Sequence, residues 1–167
     1  MTTVLVIGAS GSIGQQVVAE SLRAGYTTRA LVRNPAQASL FPEGTQIIVG
    51  DPTHAETLAV ALETVSGIVF TQGTYRDADA DQANYRPTIA VLAALKAPVR
   101  IALMTALGVT KPTVGHDWKR RAERLVRASG LPYTIVRPSW FDYNAPEEQR
   151  LVFRQGDTHW AGTPTMG

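Results

Sequence analysis

The sequence predicts an α/β fold, a doubly wound parallel sheet flanked by helices in a single domain. Three observations carry that expectation. Short apolar runs of strand length alternate with amphipathic stretches of helix length along the chain. The first run, Val4-Leu5-Val6-Ile7, feeds straight into the glycine-spaced turn Gly8-Ala9-Ser10-Gly11-Ser12-Ile13-Gly14. The chain also has 167 residues at 44% hydrophobic content, enough for one sizeable core.

The turn after Ile7 suits a pyrophosphate. So tight a turn needs residues free to take positive φ, and a phosphate must approach main-chain N–H groups with no Cβ between them. Gly8 and Gly11 answer those needs. Gly14 lets the next helix pack closely on the strand, and the unpaired N–H groups at that helix's start face the anion. Ile13, Val17, Val18 and Leu22 share one helical face, and Gly25 supplies the stop. A glycine turn of this kind also joins strands to helices with no ligand at all, so the rest of the chain must decide.

The second strand, Thr27 to Val32, ends in Arg33-Asn34-Pro35, where many dinucleotide-binding folds place an acid for the adenosine ribose hydroxyls. A guanidinium there can engage a 2′-phosphate, so NADP(H) is expected over NAD(H); a solvated loop arginine is the other reading. The third strand runs from Gln46 to Val49 and stops at Gly50-Asp51. Asp51 is a candidate acceptor for the adenine amino group, or a stabiliser of the next helix, for which Thr53 and Glu56 form a capping box. The fourth strand, Gly67 to Phe70, ends in Thr71-Gln72-Gly73-Thr74, at the sheet edge where such folds bind ligands.

After the loose stretch from Thr71 to Ala83, a helix is expected over Ile89 to Leu95, which Pro87 either starts or kinks. The fifth strand, Arg100 to Met104, ends at Thr105. A basic helix around Asp117 to Ser129 follows, with Trp118, Ala122, Leu125, Val126 and Ser129 on its buried face, Lys119 at the margin and Gly130 as cap. The last strand, Tyr133 to Arg137, leads into Pro138-Ser139-Trp140-Phe141.

Composition narrows the function classes. A net charge of +2 is too small for a nucleic-acid surface. With 0 cysteines there are no disulfides, thiolate metal sites or cysteine nucleophiles. His54, His116 and His159 lack ligand spacing, so no metal is expected. No segment has membrane-spanning length and no signal peptide is legible, which makes the cytoplasm the expected location.

Five motifs in order, Gly8-x-x-Gly11-x-x-Gly14, Leu31-Val32-Arg33-Asn34-Pro35, Val49-Gly50-Asp51, Lys119-x-x-Ala122-Glu123 and Ser129-Gly130-Leu131-Pro132-Tyr133-Thr134-Ile135-Val136-Arg137-Pro138, resemble the atypical short-chain dehydrogenase/reductases. The pattern is most similar to their NmrA-like and biliverdin/flavin-reductase-like branch. That resemblance implies a Rossmann-type domain over residues 1–167, without the C-terminal extension that helps build the substrate pocket in relatives. It implies that Gly8, Ser10, Gly11, Ser12 and Ile13 hold NADP(H), with Arg33 at the 2′-phosphate and Asp51 near the adenine. Thr71 and Gly73 would flank the ribose, Thr105 would stand beside the nicotinamide, and Pro138 would close over the carboxamide.

Catalysis is where the chain departs from the fuller family pattern. Classical members place a tyrosine four residues before the active-site lysine, and four before Lys119 stands Gly115. His116 is the nearest titratable replacement, or an exposed histidine near a helix start. A flavin- or quinone-like acceptor needs no protein acid, since solvent can supply the proton after hydride transfer. The first function class is therefore a reductase of small conjugated or aromatic acceptors, with Thr105 positioning the substrate, Lys119 holding the ribose or a polar substrate group, and Trp140 and Phe141 as an apolar wall. The second is a non-catalytic NADP(H) sensor. The expected partners are a small-molecule substrate and, through the helices near Ile89 and Leu125, at most a second copy of the chain, giving a monomer or homodimer without nucleic acid or membrane.

Overall fold

Six parallel strands among the described residues form one sheet in the order β3-β2-β1-β4-β5-β6. They are β1 (Thr3–Ile7), β2 (Thr27–Val32), β3 (Gln46–Val49), β4 (Gly67–Phe70), β5 (Arg100–Met104) and β6 (Tyr133–Val136). The computed structural model describes residues 2–74, 83–111 and 114–139. Its helices are α1 (Ser12–Arg23), α2 (Ala55–Ala61), α3 (Arg86–Ala94) and α4 (Val114–Ala128), with a 3-10 helix over Pro35–Leu40. This is the expected Rossmann-type architecture, and each strand falls on its apolar run, except that β6 stops at Val136, one residue short of the expected Arg137, whose side chain donates to Glu123.

Alternation along β1 builds the two faces. Leu5 and Ile7 are buried with Phe70, Ile101, Val91 and Val126, the layer under α2, α3 and α4. Val6 points the other way and is buried with Ala30 and Val18 beneath α1. Because every crossover returns to a parallel strand, the carboxyl ends gather at one edge. Ile7 is level with Leu31 and Phe70, Phe70 with Leu103, and Leu103 with Ile135. The strand order reverses between β1 and β4, and a crevice opens there in sheets of this type.

The helix ends follow local chemistry, with some corrections. α1 stops at Gly25, φ +82°, where the Tyr26 N–H reaches the Ser21 carbonyl (3.1 Å) and the Gly25 N–H that of Leu22 (2.9 Å). Pro87 lies in the first turn of α3 and so starts that helix. The capping box of Thr53 and Glu56 does not form. The N-cap of α2 is His54, and the Thr53 hydroxyl and N–H both donate to Asp51 Oδ1 instead. Nor does Ser129 line the buried face. It is exposed beyond the end of α4, donating to the Val126 carbonyl (2.7 Å) and accepting from the Leu131 N–H (3.2 Å). Trp118 is half-buried, its ring 5.5 Å from that of Tyr85 with the Arg121 guanidinium over its face. Lys119 and Glu123, one turn apart on α4, are the polar residues that go inside, at 7% and 3% exposure.

Candidate functional site

The turn between β1 and α1 has no room for side chains at two of its three glycines. Gly8 has φ +83°, and a Cβ there would stand 2.5 Å from the Gln72 nitrogen. At Gly14 a Cβ would stand 2.2 Å from the Gly8 carbonyl oxygen and 2.7 Å from Ala9 Cα. Gly11 differs from expectation. It is the N-cap of α1 with φ −72° and ψ 162°, a conformation open to any residue, so only the close approach of a ligand would require glycine there. The first helical bond runs from Gln15 N–H to the Gly11 carbonyl (2.9 Å), and no side chain caps the N–H groups of Ser12, Ile13 and Gly14. With no acid in the first turn, the positive end of the helix dipole is left for an anion. Ser10 contributes its carbonyl to Gln15 Nε2 (3.0 Å), which stiffens the loop.

Thr71 ties this turn to β4. Its N–H donates to the Ile7 carbonyl (2.9 Å) and its hydroxyl to the carbonyls of Ile7 (3.0 Å) and Gly8 (3.1 Å). The hydroxyl is therefore spent on the turn itself. Two residues on, a Cβ at Gly73 would lie 3.1 Å from Asn84 Oδ1 and 3.7 Å from Lys119 Nζ, so the Thr71–Gly73 segment runs from the glycine turn to the buried lysine. Asn84, buried at 4% exposure, accepts from the Thr74 N–H (3.2 Å) and donates to the Thr74 carbonyl (2.8 Å), as a neighbouring strand would.

On the other flank, Arg33 follows β2 and Asp51 follows Gly50 after β3, with the Gly50 N–H on the Val32 carbonyl (2.8 Å). Arg33 is exposed and lies within electrostatic reach of Asp51. Partial burial pushes the Asp51 carboxyl up, but the Thr53 hydroxyl and N–H, with the charges of His54 and Arg33, hold it below the ordinary value. Asp51 is thus ionised at neutral pH. Its two hydrogen bonds with Thr53 both fall on Oδ1.

At the far end, Thr105 extends β5 by donating its N–H to the Val136 carbonyl (2.9 Å), and the Leu107 N–H reaches the Pro138 carbonyl (2.8 Å). The Thr105 hydroxyl donates to Glu123 Oε1 (2.7 Å), and Arg137 donates to the same carboxylate through Nε (2.8 Å) and Nη2. That pairing raises the Arg137 pKa above its usual value against the opposing effect of burial. His116 is half-buried. Burial, then the charges of Lys119 and Lys111, lower its pKa from 6.5, so the imidazole is neutral at pH 7. Trp140 and Phe141 lie outside the described residues.

Three groups of the expected residues therefore meet at one sheet edge: Gly8 with Thr71, Gly73 with Lys119, and Thr105 with Pro138. Asn84, and the roles of Glu123 and Arg137, escaped sequence reasoning. The one available signal for Glu123 was its spacing of four from Lys119, which places both on one face of a helix. Among the described residues no three His, Cys, Asp or Glu side chains group to hold a metal ion. A cavity of about 540 Å³, lined by residues such as Leu92, Leu95, Pro98, Leu125 and Leu131, opens at the amino ends of β5 and β6, away from the glycine turn.

Residues 8–165 match the protein family described as NAD(P)H-binding. The chain is 30% identical over 158 residues to the photosystem II assembly factor Ycf39 of Trieres chinensis, a match covering 90% of this chain and 49% of that protein. It is 28% identical over 157 residues to the NAD(P)H azoreductase of Xenophilus azovorans, covering 92% of this chain and 54% of the azoreductase. The chain thus spans about half the length of these curated relatives. Among solved structures, ChuY, an anaerobillin reductase from Escherichia coli O157:H7, shares the fold at a TM-score of 0.70 and 24% identity, over 93% of this chain and 82% of ChuY. Among the described residues no helix is long and apolar enough to cross a membrane.

Proposed function

Since the chain belongs to the NAD(P)H-binding family, in its NmrA-like, atypical short-chain dehydrogenase/reductase branch, we propose that it binds NADP(H) in preference to NAD(H) and reduces a small conjugated or aromatic acceptor. One observation carries the reading: the Thr71–Gly73 segment links a backbone anion cradle, in which Cβ atoms at Gly8 and Gly14 would collide with backbone, to a buried ammonium at Lys119. The cradle fits a pyrophosphate, because the uncapped N–H groups of Ser12, Ile13 and Gly14 supply donors and positive potential at one point. The bound cofactor supplies a hydride, which with one proton from water completes a two-electron reduction.

The chain's own residues divide the remaining work. Arg33, exposed beside the ionised Asp51, takes the 2′-phosphate, and Asp51 Oδ2 takes the adenine amino group. Lys119, buried beside Gly73, donates to a ribose hydroxyl or a polar group of the substrate. Thr105 and Pro138 bound the nicotinamide end, and Trp140 and Phe141 would wall the substrate. Gly115, where classical members carry tyrosine, fits an acceptor that takes its proton from solvent. The azoreductase relative fits such a conjugated acceptor. The expected setting is the cytoplasm, as a monomer or a homodimer.

Calorimetric titration with NADPH and NADH, followed by NADPH absorbance with flavin, quinone and azo-dye acceptors, tests this. Selective NADPH binding with turnover is expected; failure to bind either cofactor would defeat the proposal. Two observations favour a second reading, a non-catalytic NADP(H)-binding regulator: Gly115, and the likeness to an assembly factor. Tight binding without turnover on any acceptor would move the conclusion there.

A further inference from the structure

Glu123 is a carboxylate at 3% exposure that serves three elements at once, and charge compensation does not account for all of its bonds. Arg137, through Nε and Nη2, offers the paired donors that a buried carboxylate needs, and the exposed Arg127 adds a second positive charge 3.7 Å from Oε2. The third bond comes from the hydroxyl of Thr105, itself 4% exposed, 2.7 Å from Oε1. We propose that Glu123 is a positioning residue for the nicotinamide end of the cleft: it holds the ends of β5 and β6 against α4 and makes Thr105 a hydrogen-bond acceptor only.

The chain of contacts is short. The Thr105 proton is consumed by a charged acceptor, so toward a ligand the oxygen offers lone pairs, and the group it selects is a donor such as a primary carboxamide N–H. Arg137, fixed by the same carboxylate, leads directly into Pro138, whose carbonyl takes the Leu107 N–H at 2.8 Å. One side chain thereby sets both residues expected beside the nicotinamide. It follows that Thr105 does not protonate the substrate. The inference rests on the cofactor reading above and adds a residue to it.

The test is calorimetry on the full chain with two ligands, NADPH and 2′-phospho-ADP-ribose, which lacks the nicotinamide. Thr105→Val should weaken NADPH by about threefold to tenfold, the scale of one hydrogen bond. The same variant should leave 2′-phospho-ADP-ribose unchanged within about twofold, and Thr105→Ser should restore NADPH. Glu123→Gln should show the same selective loss, and the double variant Thr105→Val/Glu123→Gln should lose less than the product of the two. Glu123→Asp, which keeps the charge for Arg137 but draws it back from Thr105, gives the same reading should the glutamine variant fail to fold. Equal loss for both ligands, or no loss for NADPH, would overturn the inference while leaving the cofactor reading intact. Wild-type chain that binds neither ligand would overturn both.

Discussion

Replacing Gly14 with alanine puts a methyl group 2.2 Å from the Gly8 carbonyl oxygen and 2.7 Å from both Ala9 Cα and the Ala9 carbonyl oxygen. All three contacts are backbone, so no side chain can swing aside. With non-bonded separations normally above about 3 Å, the start of α1 must retreat from the end of β1 by about 1 Å. Overpacking of this kind costs about 1–3 kcal/mol, and the contact with rigid backbone argues for the upper end. Alanine returns about 1 kcal/mol through its better helix propensity, leaving a net loss of about 1–2 kcal/mol. The same retreat misaligns the N–H groups of Ser12, Ile13 and Gly14. Losing even one hydrogen bond to a charged phosphate, about 1.5–3 kcal/mol, corresponds to at least about a tenfold weaker Kd for NADPH. Urea unfolding and calorimetry on Gly14→Ala measure both effects. Gly67→Ala is the control, because a Cβ there meets nothing closer than 3.7 Å and should change stability by less than about 0.5 kcal/mol. If Gly14→Ala matched Gly67→Ala in both assays, the close-packing account of the turn would be refuted.

Other outcomes follow from the same geometry. Arg33→Ala should weaken NADPH binding by about 1.5–3 kcal/mol while leaving NADH nearly unchanged, and equal loss for the two cofactors in parallel titrations would show that the guanidinium does not read the phosphate. Thr71→Val removes the hydroxyl that donates to the Ile7 and Gly8 carbonyls. Denaturant midpoints should register a loss of about 1–2 kcal/mol, with Thr71→Ser largely intact. For His116 the folded pKa is depressed, so the unfolded chain takes up the proton first. Its contribution to stability is whole above pH 6.5 and is lost as pH falls through the lower folded value. Melting temperatures of His116→Gln should therefore fall less steeply than wild type below pH 6.5, and parallel slopes would remove the imidazole from the account.

Much of the molecule is written locally. A strand such as Arg100–Met104 needs only a few residues with the right burial, and a glycine-spaced turn declares its tightness in sequence, so β1 to β6 and the Gly8 and Gly14 constraints were legible before any contact was known. Where two local signals competed, the sequence misled. Thr53 had the spacing of a capping residue, but Asp51, two residues earlier, offered a charged acceptor and captured both its hydroxyl and its N–H. The amphipathic reading of α4 placed Ser129 inside and Lys119 at the margin. The folded helix turns the polar pair Lys119 and Glu123 inward instead, and for Glu123 the donors at the ends of β5 and β6 are Thr105 and Arg137.

Those partners come from elements far apart in sequence. Thr105 and Arg137 flank Glu123 by 18 and 14 residues, and Asn84 reaches back 10 residues to Thr74. No periodicity encodes such meetings, since they exist only after parallel crossovers have carried several strand ends to one edge. By itself the sequence determined the fold, the tight glycine turn and the family, all of which rest on short-range pattern. Only the tertiary structure decided which polar groups are buried together, because a buried carboxylate is tolerable only where the folded chain has already brought its donors.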